Sequence, residues 1–324
     1  MRILSGMRPS GRLHIGHLSV LSNWLRLQEE NECFFFVADW HALTTAFDET
    51  ASIREHTREM LADWLAVGID PDKSTVFVQS QILEHAELHL LFSMITPLSW
   101  LERVPTYKDQ VQQLAARGKD ITTYGFLGYP LLQAADILIY RADAVPVGQD
   151  QLPHLELCRE VARRFNHLYR PVFPEPQALL AEEPLLPGVD GRKMSKSYGN
   201  EISLSAARDD VHKRVRMMIT DPGRVRKHDP GRPEVCNVYT YQTIYNRELL
   251  EEITVSCREG RIGCVECKSR LAESLDAVLE PIRRRRAEIL ADPGYLNDVL
   301  ARGREKATAA ARETMALVRQ AIRI

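Results

Sequence analysis

Two short segments, far apart in the chain, carry residue types suited to handling a polyphosphate. The first follows an apolar strand pattern at residues 2–6 and reads Gly6-Met-Arg8-Pro9-Ser10-Gly11-Arg-Leu-His14-Ile-Gly16-His17. His14 and His17 are three residues apart, hence neighbours on one face of a starting helix. A helix start presents free N–H groups and partial positive charge, which suits phosphate, and imidazoles there add donors. Gly16 has no Cβ, so a planar ring can approach its backbone. The second segment reads Gly191-Arg192-Lys193-Met194-Ser195-Lys196-Ser197. Lysines three apart among small hydroxyl residues make a mobile cationic loop able to clamp charge developing on a leaving pyrophosphate.

Familiar nucleotide motifs are missing. No Gly-x-Gly-x-x-Gly follows the first strand. Gly6 and Gly11 have the P-loop spacing, but Arg12-Leu13 stand where Lys and Ser or Thr are required. A third group, Tyr129, Gln133 and Asp136, recurs at i, i+4 and i+7 around Pro130, a good opening residue for a helix. An aromatic, an amide and a carboxylate on one face suggest a pocket for a flat side chain with a polar edge. Indole offers one N–H donor, which a buried carboxylate such as Asp136 would accept.

These residues need a scaffold. Strand patterns at 2–6, 33–39, 74–79 and 144–147 alternate with helical ones running to about 30, at 53–67 and at 150–165. That alternation predicts βαβ units and a parallel sheet covered on both faces. After residue 200 helical patterns dominate, at 205–219, 238–256, 265–290 and 294–322, with a basic Pro/Gly loop at 221–233. The expected fold is α/β, a Rossmann-like parallel-sheet catalytic domain over 1–198 followed by a helical domain over 199–324.

The chain has 324 residues, 44% of them hydrophobic, enough for a sizeable core. The longest apolar run is only Cys33 to Ala38, so no membrane span is expected. Met1 to Gly6 runs straight into a strand pattern without a secretory leader, and a soluble cytoplasmic protein is expected. Residues 201–324 carry 23 basic and 19 acidic side chains, while residues 1–200 carry 19 and 25. A basic C-terminal part is compatible with a polyanionic partner, and equally with ordinary solvated surface. The run Arg283 to Arg286 must point to several sides of a helix, serving partly solvation and partly phosphate contact.

Six cysteines in such a chain argue for free thiols or a metal site. Cys33 and Cys158 read as buried core thiols. Cys236, Cys257, Cys264 and Cys267 follow C-x20-C-x6-C-x2-C. Four thiolates can ligate Zn²⁺ or a [4Fe–4S] cube, and the spacing leaves these and unlinked thiols open. A closed four-thiolate site would be structural.

His-Ile-Gly-His early and Lys-Met-Ser-Lys-Ser late, in this order on a βαβ chain, resemble the paired signatures of class I aminoacyl-tRNA synthetases. Ser5 to Gly11, Leu101-Glu-Arg103, Tyr129 to Ile139 and Val145 to Gln151 are similar to the bacterial tryptophanyl-tRNA synthetases, more so than to the tyrosyl sister family. The resemblance covers nearly the whole chain. It implies ATP with Mg²⁺ and L-tryptophan as substrates, tryptophanyl-adenylate and pyrophosphate as products, transfer to tRNA(Trp), and a homodimer. Arg8, His14, His17, Lys193 and Lys196 would then stabilise phosphate charge. Arg8, Pro9, Ser10, Gly16 and His17 would line the ATP site, with Gly148, Gln149 and Asp150 on the ribose. Leu186 would meet adenine through its backbone, and Lys193, Met194, Ser195, Lys196 and Ser197 would hold the phosphates. Leu4, Tyr129, Gln133, Asp136, Val145, Val147 and Gln151 would form the tryptophan pocket, with Lys108 a weaker member. Gln149 stands where the family often has Glu, and Leu4 where some relatives have an aromatic. The cysteine spacing resembles that of an iron–sulfur-bearing subgroup. Tyrosine specificity and a non-charging nucleic-acid-binding paralogue are the competing functions.

Overall fold

The computed structural model describes residues 1–116, 118–180 and 186–324, without the side chains of Ser197 and Pro293. Strands β1 (Arg2–Met7), β2 (Glu32–Val37), β3 (Ser74–Val78), β4 (Ala144–Val147) and β5 (Gln177–Leu180) form one all-parallel sheet in the order β3-β2-β1-β4-β5. The winding reverses between β1 and β4. Such a switch point opens a crevice at the carboxyl ends of the two strands, where ligands of this architecture bind. The sequence pattern did not reveal β5, whose four residues lie partly exposed at the sheet edge and show no alternation.

Because successive strand residues face opposite sides, one set of side chains feeds each face. Ile3, Cys33, Phe35, Val37, Val76 and Val78 enter one core. Leu4, Phe34, Phe36, Phe77, Val145 and Val147 enter the other. This parity puts Leu4, Val145 and Val147 on one side of the switch point.

The helices of the sheet region are α1 (Leu18–Glu30), α2 (Asp39–Ala46), α3 (Ile53–Val67), α4 (Glu84–Ser93), α5 (Leu98–Glu102), α6 (Pro105–Ala115), α7 (Tyr124–Leu127), α8 (Tyr129–Ile139) and α9 (Leu152–Leu168). On the first face, Trp24 of α1 stacks on Phe35 at 4.3 Å and meets Trp64 of α3 edge-on at 5.0 Å. On the second, α8 packs between α4 and α9. It is buried along Ala134 to Ile139, which brings Asp136 inside.

Past residue 200 come α10 (Arg208–Met217), α11 (Asn237–Tyr245), α12 (Leu250–Arg258), α13 (Cys264–Ala291) and α14 (Pro293–Ile322). The continuous pattern at 238–256 is therefore two helices. Asn246 leaves the helical region, and its side-chain amide bonds to Gln242, closing the first helix. Asp292 caps α14 by accepting the N–H of Gly294 and Tyr295 at 2.9 and 3.2 Å.

The last helix returns to the sheet. Ala307, Ala311, Met315 and Val318 lie in the second core, and a Cβ on Gly303 would fall 1.7 Å from the Val76 carbonyl oxygen. Only glycine lets the helix backbone lie against β3 and cover that edge strand. Leu271, Leu275, Leu279, Ile282 and Ile289 of α13 enter the first core. Residues 199–324 thus share both cores with residues 1–198. Among the described residues no helix is long and apolar enough to cross a membrane.

The four-arginine run divides. Arg284 and Arg285 are exposed. Arg283 bonds to Asp276 and Glu280 at 2.6 and 2.9 Å, and Arg286 reaches Asp63 and Glu59 on α3. Two of the four guanidinium groups are committed to internal ion pairs, which narrows the part available for phosphate contact.

Candidate active site

At the switch point a cavity of about 370 Å³ opens between the carboxyl ends of β1 and β4 and the face of α8. Leu4, Arg8, Tyr129, Gln133, Asp136, Val145, Val147, Gly148 and Gln151 all line it. These residues come from three separate stretches of sequence. A cavity of this size with apolar walls and a few converging polar groups suits a small-molecule ligand.

Its polar anchor is Asp136, 1% exposed. Oδ1 accepts Gln79 Nε2–H at 2.7 Å and His85 Nδ1–H at 2.6 Å, and Oδ2 accepts His41 Nε2–H at 2.7 Å. Burial alone would raise its pKa, but the hydrogen bonds from His41 and His85 outweigh it and hold the carboxyl at about 2. Asp136 is therefore a carboxylate, and Oδ2 keeps a second acceptor position. His85 Nδ1 donates, so its Nε2 accepts the Tyr140 hydroxyl at 2.8 Å. None of His41, Gln79, His85 or Tyr140 was read from the sequence as a site residue. The signal was there: a buried carboxylate needs donors, and polar residues in apolar segments such as β3's end are candidates.

Tyr129, two turns before Asp136 on α8, lines the same cavity. Its hydroxyl lies 2.8 Å from Thr106 Oγ1 and 2.7 Å from His154 Nε2, and its ring stacks on Phe126 at 5.1 Å. Burial holds His154 at about 4, so this imidazole is neutral at physiological pH. His154, Thr106 and Phe126 also went unread in the sequence. Lys108 is exposed on α6 and does not line the cavity.

Beside the cavity the two signature segments meet. Lys196 Nζ donates to the Ser10 carbonyl at 3.0 Å. A Cβ on Gly11, whose φ is +110°, would stand 3.0 Å from the same nitrogen. The rings of His14 and His17 are in contact, tilted at 44° with centroids 3.9 Å apart. Burial, followed by the neighbouring His17 and Lys196, lowers His14 to about 3. Burial and then Lys196 lower His17 to about 4. Both are neutral donors near pH 7 rather than cations. The His14 carbonyl already accepts the His17 amide at 2.8 Å. His17 Nδ1 lies 3.1 Å from the His14 amide nitrogen and 3.2 Å from the His14 carbonyl oxygen; accepting from the amide, it carries its proton on Nε2. Gly16 packs under this pair, since a Cβ there would meet His14 Nδ1 at 3.0 Å and Met194 Sδ at 3.5 Å. Burial lowers Lys196 itself to about 8, opposed by Asp63 and Glu201.

The lysine loop is shaped from within by buried Asn200. Its Oδ1 accepts the Ser195 amide at 2.8 Å, and its Nδ2 donates to Asp190 Oδ1 at 2.7 Å and the Lys193 carbonyl at 3.2 Å. Met194 is buried in the first core. Lys193 is exposed, Pro9 is buried, and Gln149 and Asp150 are exposed beyond Gly148. Leu186 packs against the first core rather than lining the cavity. The Ser197 side chain lies outside the described residues.

The four expected metal cysteines share one neighbourhood in the helical part. Burial, reinforced by the other three thiols, pushes Cys267 up to about 11, while Gln242 Nε2–H donates to its Sγ at 3.3 Å. Arg224 donates to Cys257 Sγ at 3.7 Å. However, among the described residues no three His, Cys, Asp or Glu side chains stand where they could hold a metal ion. The expected four-cysteine site is thus not formed as a ligand set.

The model of the family described as "tRNA synthetases class I (W and Y)" matches residues 1–280, and the chain belongs to that family. A curated "Tryptophan--tRNA ligase" from Thermotoga maritima is 54% identical, covering all of this chain and 99% of its own. Another from Aquifex aeolicus is 46% identical with complete coverage of both. The solved "Tryptophanyl-tRNA Synthetase from Campylobacter jejuni complexed with ADP and Tryptophane" superposes with a TM-score of 0.90 at 33% identity, over all of both chains. The activity is that of a tryptophan–tRNA ligase, so neither tyrosine specificity nor a non-charging role is carried further.

Proposed function

We propose that the switch-point cavity takes the L-tryptophan side chain and that the two signature segments take the triphosphate of ATP·Mg²⁺. The indole would lie between Leu4, Val145, Val147 and Tyr129, its N–H donating to Asp136 Oδ2. Gln133 and Gln151 line the same cavity and are within its reach. The tryptophan carboxylate then attacks the α-phosphorus, the bond to the β-phosphate oxygen breaks, and pyrophosphate leaves. No protein nucleophile is needed; alignment and charge stabilisation carry the rate. His17 Nε2–H, His14, Arg8, Lys193 and Lys196 donate to phosphate oxygens, while Gly148, Gln149 and Asp150 face the ribose and Leu186 the adenine. In the second step a ribose hydroxyl of tRNA(Trp) attacks the adenylate carbonyl carbon and AMP leaves.

One observation supports this reading above the others: Lys196 Nζ reaches Ser10 across 186 positions of sequence, joining the two segments beside the cavity. The test is pyrophosphate exchange with purified protein. Exchange driven by tryptophan, at least about a hundredfold over tyrosine as expected for a site built round a buried acceptor, supports the Asp136 assignment. Exchange with tyrosine at a similar rate overturns it.

Residues 1–198 would do the chemistry and the helices of 199–324 would meet tRNA, aided by Arg284 and Arg285. The four cysteines would hold a [4Fe–4S] cluster, with Zn²⁺ as the alternative. Their donor set suits either, and the N–H groups of Arg224 and Gln242 already point at two sulfurs, the kind of bond that tunes cluster sulfur. Such a group would brace α11, α12 and α13. Anaerobic purification is expected to give a brown protein whose visible absorption is lost in Cys264→Ser. A colourless protein with stoichiometric zinc overturns the iron assignment.

A homodimer is supported by the apolar surface of Leu83, Leu90, Met94 and Leu98, each more than half exposed. Sedimentation is expected to give twice the chain mass, and Met94→Arg to give the monomer. A wild-type monomer overturns this.

A further inference from the structure

Leu13, the residue before the signature histidines, is held by a carboxylate from another part of the chain. Asp63, in the middle of α3 and 0% exposed, accepts the Leu13 N–H on Oδ2 at 3.0 Å. Its Oδ1 accepts Arg286 Nε at 2.7 Å, and Arg286 also reaches Glu59, one turn earlier on α3, at 2.5 Å. Arg286 belongs to the interior, with 11% of its side chain exposed. It stands between Ile282 and Ile289 in the buried stripe that α13 presents to α3. A guanidinium in an apolar seam is costly unless its charge is used. Plain helix packing would be served better there by an aliphatic residue.

The use lies at the signature turn. The turn is pinned from one side by the segment after the lysine loop, through Ile15 N–H to the Ile202 carbonyl at 2.9 Å and Leu204 N–H to the Leu13 carbonyl at 3.0 Å. Asp63 pins it from the other. Burial raises the Asp63 pKa, opposed by the Leu13 amide and Arg286. Losing Arg286 would therefore favour the neutral acid, a poorer acceptor for Leu13. The same carboxylate is first among the charges that favour the ammonium form of Lys196.

We propose that Asp63 and Arg286 are positioning residues for adenylate formation: Arg286 fixes Asp63, Asp63 holds the Leu13 amide, and His14 and His17 thereby meet the phosphates in register. The proposal rests on the reading that those histidines face the nucleotide. It also gives α13 a second task. Cys264 and Cys267 are in its first turn, and Arg286 follows Cys264 by 22 residues, about 33 Å along a helix. One helix thus ties the cysteine neighbourhood to the ATP-side turn.

The test compares Arg286→Met, Arg286→Lys and His17→Ala in tryptophan-dependent pyrophosphate exchange, with circular dichroism to establish folding. The exposed pair Arg302–Asp72 supplies the control variant Arg302→Met. Arg286→Met is expected to lower kcat about ten- to a hundredfold, the scale of a displacement near 1 Å, with KM for tryptophan unchanged. Arg286→Lys should recover most of the loss, and Arg302→Met should have none. A folded Arg286→Met with wild-type kcat, while His17→Ala is impaired, overturns the positioning role alone. An unimpaired His17→Ala overturns the underlying reading of the site. Parallel worsening of kcat and KM for tryptophan would mean general loosening and also overturns the role. If Arg286→Met does not fold, the charge-removing variant Arg286→Gln is judged by the same split: a reduced kcat at constant KM supports the proposal, and a wild-type kcat overturns it.

Discussion

Asp136→Asn is expected to lower kcat/KM for tryptophan by about 10- to 150-fold, the equivalent of the roughly 1.5–3 kcal/mol carried by a hydrogen bond to a charged group. KM for ATP should stay near its wild-type value, because Asp136 lines the cavity proposed for the tryptophan side chain. The substitution is nearly isosteric but electrically severe. Three donors, from His41, Gln79 and His85, converge on the two carboxylate oxygens. An asparagine must turn its NH2 group toward at least one of them, setting donor against donor in a buried site. Exchange assays across tryptophan and ATP concentrations separate the two KM values. A folded variant with wild-type kcat/KM would remove Asp136 from indole recognition.

The same carboxylate contributes to stability with a definite pH sign. Its folded pKa, about 2, is below the ordinary 3.8. The stabilisation is therefore complete above the unfolded value and is lost as pH falls from about 4 toward 2. Asp136→Asn should flatten that part of the acid-unfolding curve.

Lys196→Met is expected to lower kcat for adenylate formation by about 10²–10³, the usual cost of removing one preorganised donor from a developing anion. Tryptophan affinity should not change, since Lys196 contacts Ser10 rather than the cavity. A pH prediction accompanies it. Burial lowers the free-enzyme pKa of Lys196 to about 8, so its ammonium form is complete below that pH and is lost above it. Wild-type kcat/KM for ATP, which reports the free enzyme, should fall as pH rises past about 8. Lys196→Arg, whose guanidinium stays charged, should abolish the fall. An unchanged alkaline limb in that variant would show that another group titrates. The histidines contribute no such limb near neutrality, because His14 and His17 titrate at about 3 and about 4.

How much of this was legible beforehand depends on how local the cause is. The βαβ alternation, the signature turn, the lysine loop and the i, i+4, i+7 face of α8 are set by spacing along one segment. These needed no third dimension. The grouping of Leu4 with Val145 and Val147 came only from the family resemblance, because the pairing of β1 with β4 is not local. The break at Asn246, the edge strand β5 and the return of α14 to the sheet were not local. A continuous amphipathic pattern cannot reveal where a side chain closes one helix, and a four-residue edge strand offers too little pattern to see.

The sequence by itself determined which groups could handle a polyphosphate and a flat donor-bearing side chain, because those are properties of side-chain type and short spacing. Tertiary structure alone decided their electrical state and their company. His14 and His17 are neutral because they are buried together beside Lys196. Asp136 is ionised because His41, Gln79 and His85 arrive from segments 51 to 95 residues away. Arg286 is an internal partner of Asp63 rather than a surface charge. Burial and the approach of distant charges set a proton's affinity, and neither is written along the chain.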